Sequence, residues 1–221
     1  MELKKGHRVD IASSKFKVGL GWDPSADTAF DFDLDVSAFI LGVNGKVPSE
    51  KHIVYYNSED RILPENMDKG LFELEPYSAA KYPNHELDFR VKTRPVSPNF
   101  EVIGSLDDKT GSVSDGADDE DMFIDLTRID KSTVEIIIVV SIYDAVERRQ
   151  NFGQVRNSYI RVVNTYSGQV LFKYELDEDF SAETAVEFGR IYKREGNWRF
   201  EALGNGTGEG LAFYIKKYHT L

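Results

Sequence analysis

Two clusters of carboxylates carry the chain's clearest capacity for chemistry. In the first, Asp31, Asp33 and Asp35 fall on every second residue, with Asp23 and Asp27 just before them. Alternate residues of a strand share a face about 6.5–7 Å apart. Two such side chains can lean together and share one cation. The second cluster is Asp115-Gly116-Ala117-Asp118-Asp119-Glu120-Asp121, with Asp107 and Asp108 upstream and Lys109 as the nearby cation. Crowding carboxylates into a glycine-containing loop raises their mutual repulsion unless a cation relieves it. Calcium suits that role, because it accepts about 6–8 oxygen ligands in irregular geometry. The candidate ligands are Asp23, Asp31, Asp33, Asp35, Asp115, Asp118, Asp119 and Glu120. The plain alternative is a solvated acidic turn.

The site is not an EF-hand. Counting Asp31, Asp33 and Asp35 as loop positions 1, 3 and 5 puts Val36 where glycine is needed and Gly42 where glutamate is needed. A calcium site here has to be assembled between loops at one end of a fold. Other chemistries find less support. His7, His52, His85 and His219 show no paired spacing for zinc. Without cysteine there is no disulfide, thiolate metal site or cysteine nucleophile. Carboxylate pairs serve glycosidases, but such sites want one acid in apolar surroundings, and these acids lie in polar stretches. The expectation is a protein that is not an enzyme.

The 221 residues carry Lys+Arg 27 against Asp+Glu 38, a net charge of -11. A surface this acidic repels phosphate backbones, so nucleic acid is not an expected partner. The segment Ile136 to Ile142 is far too short to span a bilayer, which takes about 20 residues, and the start has no apolar signal segment. The expectation is a cytoplasmic chain without a transmembrane segment.

Elements that could position these acids follow a period of two. Phe16 to Trp22 reads as a strand. In Asp31 to Ala38, Phe32, Leu34, Val36 and Ala38 face one side and the acids and Ser37 the other. His52 to Tyr56 and Met122 to Leu126 are short strands. Ile136 to Val140 is apolar on both faces and predicts a central strand covered twice. Ser158 to Val163 and Gln169 to Leu176 predict a hairpin about Tyr166-Ser167-Gly168. Trp198 to Ala202 is a late strand. Ser181 as N-cap, Ala185, Val186, Gly189 and Tyr192 at helical spacing, and Gly196 as stop predict a helix. Leu211 to Tyr218 reads as helix or strand. Five of the seven prolines lie in Ser58 to Ser105, which reads as a peripheral insertion. The fold class is mainly β: a β-sandwich with one or two peripheral helices.

These motifs resemble the TerD-type family of tellurium-resistance and general stress proteins. The matching pieces are Leu3-Lys4-Lys5-Gly6, Val18-Gly19-Leu20-Gly21-Trp22-Asp23, Phe32-Asp33-Leu34-Asp35-Val36-Ser37-Ala38-Phe39, Val54-Tyr55-Tyr56-Asn57, Asp118-Asp119-Glu120, Ile142-Tyr143-Asp144-Ala145, Gln150-Asn151-Phe152-Gly153-Gln154-Val155 and Glu178 to Ala185. They run in family order from end to end. The resemblance implies one TerD-like β-sandwich over residues 1–221 that binds Ca2+ through the Asp-Leu-Asp strand and the acidic loop. It carries over Asp23, Asp33, Asp35, Asp118, Asp119 and Glu120 as ligands. It also implies stress-complex protein partners at the inner membrane face. The stretch at about 58–105 departs from the family pattern.

Two other readings use the same acids. One is a C2-like module that docks on membranes through bound Ca2+. The other is a carboxylate-based hydrolase.

Overall fold

The computed structural model describes residues 2–23, 32–84, 88–106, 118–176 and 180–219. Its strands are β1 (Arg8–Asp10), β2 (Lys15–Asp23), β3 (Leu34–Gly42), β4 (Ile53–Val54), β5 (Arg61–Ile62), β6 (Arg94–Pro95), β7 (Val102–Ile103), β8 (Glu120–Asp125), β9 (Thr133–Ile142), β10 (Arg156–Asn164), β11 (Val170–Glu175), β12 (Ala185–Arg194) and β13 (Asn197–Thr207). The helices are α1 (Pro64–Asp68), α2 (Arg90–Lys92), α3 (Ala145–Arg148) and α4 (Leu211–Tyr218). Among these residues no helix is long and apolar enough to cross a membrane.

Two antiparallel sheets pack face to face. One has the order β1-β13-β12-β9-β3-β4, the other β11-β10-β2-β8-β7. Alternation along each strand fills the space between them. Val18, Leu20 and Trp22 point inward from β2, and Leu34, Val36, Ala38 and Ile40 from β3. Ile136, Ile138, Val140 and Ile142 do the same from β9. The opposite face of β9 is also apolar. Ile137 and Val139 join Phe39 and Leu41 beneath α4, against its Tyr214 and Tyr218. That second cover is why β9 reads as apolar on both faces.

Residues 185–194 form a central strand rather than the expected helix. β12 pairs with β13 on one side and β9 on the other. A register shift between Glu187 and Gly189 marks a β-bulge. The inward apolar residues are therefore Val186, Phe188 and Ile191, and the three-residue step across the bulge, from 188 to 191, breaks the alternation that marks a strand. Gly196 is not a helix stop. Glu195 and Gly196 both have positive φ, 52° and 86°, as a two-residue hairpin between β12 and β13 requires.

The chain from Ser58 to Ser105 is partly built into this frame. β5 and β6 form a small ladder, while β7 is the edge of the five-stranded sheet. Val102 belongs to the inter-sheet core. Arg61 is 1% exposed and ties both ends of this stretch together. Its guanidinium donates to the carbonyls of Tyr56, Ser58, Arg90 and Thr93 and to the Thr93 hydroxyl.

Candidate metal centre

β3 positions the first acidic cluster. Its inward residues hold it in the core, so the intervening ones fall on the outer face of the six-stranded sheet. At one end of that face Phe39 and Leu41 lie under α4. At the other end come Ser37, Asp35 and, just ahead of the strand, Asp33. All three are buried; Asp33 and Asp35 are only 5% and 3% exposed. The hydroxyl of Ser37 has no hydrogen-bond partner among the described residues. Buried carboxylates two residues apart are an expensive arrangement, several kcal/mol per ion unless compensated.

Tyr56 and Tyr143 wall this end, edge to face with ring centroids 5.4 Å apart. Burial, and then the charge of Asp35, push the Tyr56 phenol well above its ordinary range. Asp35 and Glu120 line one small cavity together with Tyr56, Arg61 and Ser105. A second cavity, of about 260 Å³, also has Asp35 in its wall, along with Tyr143, Asp144, Glu147 and Glu209.

The second cluster is split by its own backbone. Asp118, Asp119 and Glu120 are adjacent in sequence, yet each side chain goes elsewhere. Asp118 accepts a hydrogen bond from Arg161 Nε at 2.6 Å and pairs with Lys17 Nζ at 3.0 Å. Both partners are outward residues of the five-stranded sheet. Asp119 accepts the Trp22 amide at 2.9 Å. Glu120, 3% exposed, crosses to the other sheet and accepts the Val36 amide at 3.0 Å.

Of the eight candidate ligands, the structure thus brings Asp35 and Glu120 to one cavity, with Asp33 on the same buried face as Asp35. Asp23 accepts a hydrogen bond from Asn157 Nδ2 at 2.5 Å. Asp31 and Asp115 lie outside the described residues. The oxygen donors suit a hard cation such as calcium in kind. Among the described residues no group of three or more His, Asp or Glu side chains is placed to hold a metal ion. Sequence reasoning passed over Tyr56, Tyr143, Arg61 and Arg161 as neighbours of the acids. Arg161 was accessible in principle, since it alternates outward between Ile160 and Val162.

The TerD domain family model matches residues 1–63 and 91–218. General stress protein 16U of Bacillus subtilis (strain 168) is 35% identical over 224 residues, covering 99% of this chain and 96% of that protein. Tellurium resistance protein TerD of Serratia marcescens is 34% identical over 223 residues, covering 99% of this chain and 96% of its own. Among solved structures, a protein of unknown function, SAV2460, superposes with a TM-score of 0.63 at 20% identity, over 93% of this chain and 98% of that one. A TerD homologue, SCO6318 of Streptomyces coelicolor A3(2), gives 0.62 at 18% identity, over 90% of this chain and 94% of its own. At those identities the two structures speak for the fold.

Proposed function

The chain belongs to the TerD domain family, and from that premise we propose that it is a non-enzymatic, calcium-binding stress-response protein of the tellurium-resistance type. One observation carries the calcium reading. Asp33 and Asp35 are buried together on one strand face, and Glu120 enters the same end from the other sheet. Bound calcium would supply the positive charge that offsets their repulsion and desolvation. In this reading Asp33, Asp35 and Glu120 are donors, and Asp115 is the further acid proposed to join them. Asp23, Asp31 and Asp119 border the site in sequence or through their neighbours. The work of the protein is then to respond to calcium in a cytoplasmic stress complex at the inner membrane face, with protein partners rather than a substrate.

Calorimetric titration of metal-stripped protein with Ca2+ tests this directly, alongside thermal melts in EGTA and in calcium. A single site at about 100 times its Kd adds about 2.7 kcal/mol to stability. For a domain of this size that raises Tm by about 5–10 °C. Magnesium should do less, because it dehydrates reluctantly and demands a tight octahedron. Asp33→Asn with Asp35→Asn should remove the calcium-induced rise. No binding heat, together with equal melting in EGTA and millimolar calcium at about 0.15 M salt, where surface screening is strong, would overturn the proposal.

A further inference from the structure

We infer that Asp118 is not a metal ligand but the latch that positions Asp119 and Glu120 at the end of the sandwich. Its side chain is fully buried, 0% exposed, on the outer face of the five-stranded sheet. Arg161 Nε donates to Oδ1 at 2.6 Å, the Tyr159 hydroxyl donates to the same oxygen at 3.3 Å, and Lys17 Nζ lies 3.0 Å from Oδ2. The carboxylate can descend that far because the residue beneath it is Gly19. A Cβ there would stand 2.1 Å from Asp118 Oδ2. Gly21 seats the Tyr159 ring in the same way, 2.5 Å from where its own Cβ would be. This gives Val18-Gly19-Leu20-Gly21-Trp22 a physical meaning. Its apolar residues fill the core, and its glycines form a bare strip that receives Asp118 and Tyr159.

The consequence falls on the next two residues. With Asp118 clamped outside, the Asp119 amide bonds to the Leu20 carbonyl at 2.8 Å. Glu120 is then delivered to Val36 and to the cavity it shares with Asp35. Lys17, Arg161 and Gly19 therefore act on the acidic end through Asp118, as positioning residues.

The affinity arm of the test rests on the calcium reading above; the stability arm does not. Arg161→Met deletes a positive charge near the acidic end. If Asp118 were a ligand, or if charge alone mattered, calcium would bind more tightly. If Asp118 is a latch, calcium should bind about tenfold or more weakly, as loss of outer-shell support does elsewhere. Gly19→Ala, which changes no charge, should weaken binding similarly. Lys15→Met, an equal charge change on the same sheet face at a residue paired with Asp125, should not. Unchanged or tighter binding by Arg161→Met overturns the inference. If the parent protein binds no calcium, the double-mutant cycle of Asp118→Asn and Arg161→Met in urea decides. Strong non-additivity, with each single variant less stable, supports the latch, and additive effects overturn it.

Discussion

The carboxylate of Glu120, carried on one sheet, accepts the amide of Val36, carried on the other, at 3.0 Å. The reason lies in the length of β4, which reaches only Ala38 and Phe39 of β3. The Val36 amide lies beyond that partner, and a buried amide must be satisfied somehow. Glu120→Ala should destabilise the protein by about 1–3 kcal/mol, the usual penalty for a buried donor left unmade. Glu120→Gln keeps an acceptor and should lose less, while still removing the charge that the calcium reading needs. Urea unfolding of both variants in EGTA checks this. Equal losses would show that the cross-sheet bond carries no weight.

Arg61 invites a harsher outcome. It is buried, and its donors satisfy four backbone carbonyls and a threonine hydroxyl. Lysine brings one compact ammonium in place of a planar fork. Arg61→Lys should therefore behave almost like Arg61→Ala, each losing about 3 kcal/mol or more. A lysine variant with nearly native stability, measured by the urea midpoint, would contradict this account of the loop.

Much of the sandwich was legible from alternation alone. The inward sets of β2, β3 and β9 are the apolar residues their period of two selects, and the double cover of β9 shows in its unbroken run. β12 was illegible because its bulge moves the inward face from Phe188 to Ile191. A period of two broken once loses the alternation that marks a strand over so short a span. The kinds of residue at the candidate site were legible too, but their directions were not. Adjacency in sequence says nothing of a backbone that sends Asp118 to one face, Asp119 to a strand end and Glu120 to another sheet. The burial of Asp33 and Asp35 was equally hidden. Around Asp35 stand Tyr56, α3 and the loop before α4, over a face that alternation marks as exposed.

The docking of α4 should give the protein a distinctive alkaline limit. Tyr214 and Tyr218 form its buried face, with the Tyr214 hydroxyl accepting the Glu187 amide at 3.1 Å and Tyr218 donating to the Glu187 carboxylate. Burial pushes the Tyr214 phenol up to about 12 and raises that of Tyr218 as well. A raised value means the folded state holds the proton more tightly than the unfolded chain. That contribution is complete below the ordinary tyrosine range near pH 10 and is lost as pH rises through about 12. Stability measured by urea midpoint should fall steeply over that window. Tyr214→Phe should lower stability at neutral pH and flatten the alkaline slope, leaving the part due to Tyr218 and to the other raised phenols, Tyr56, Tyr82 and Tyr159. A slope unchanged in Tyr214→Phe would place the alkaline transition elsewhere.

The last expectation concerns residues 64–90, which fall between the two stretches matched by the family model. We propose that this part, rather than all of 58–105, is the addition to the common sandwich. β5 and β6 are antiparallel partners, with Ile62 opposite Arg94, so the chain leaves and re-enters the fold at neighbouring points. Such an excursion can be shortened with little change in closure entropy. Replacing 64–87 with a short Gly/Ser linker keeps Arg90 and Thr93 for Arg61, and keeps Val96 and Val102. It exposes part of the small cluster around Ile62, because Met67 and Phe72 pack against it. The variant should unfold cooperatively at a moderately lower midpoint and retain whatever calcium response the full chain has. Extending the deletion to Ser105 removes the edge strand β7 and the core residue Val102, and should abolish cooperative unfolding. If the shorter deletion already abolishes it, residues 64–87 are integral to the sandwich.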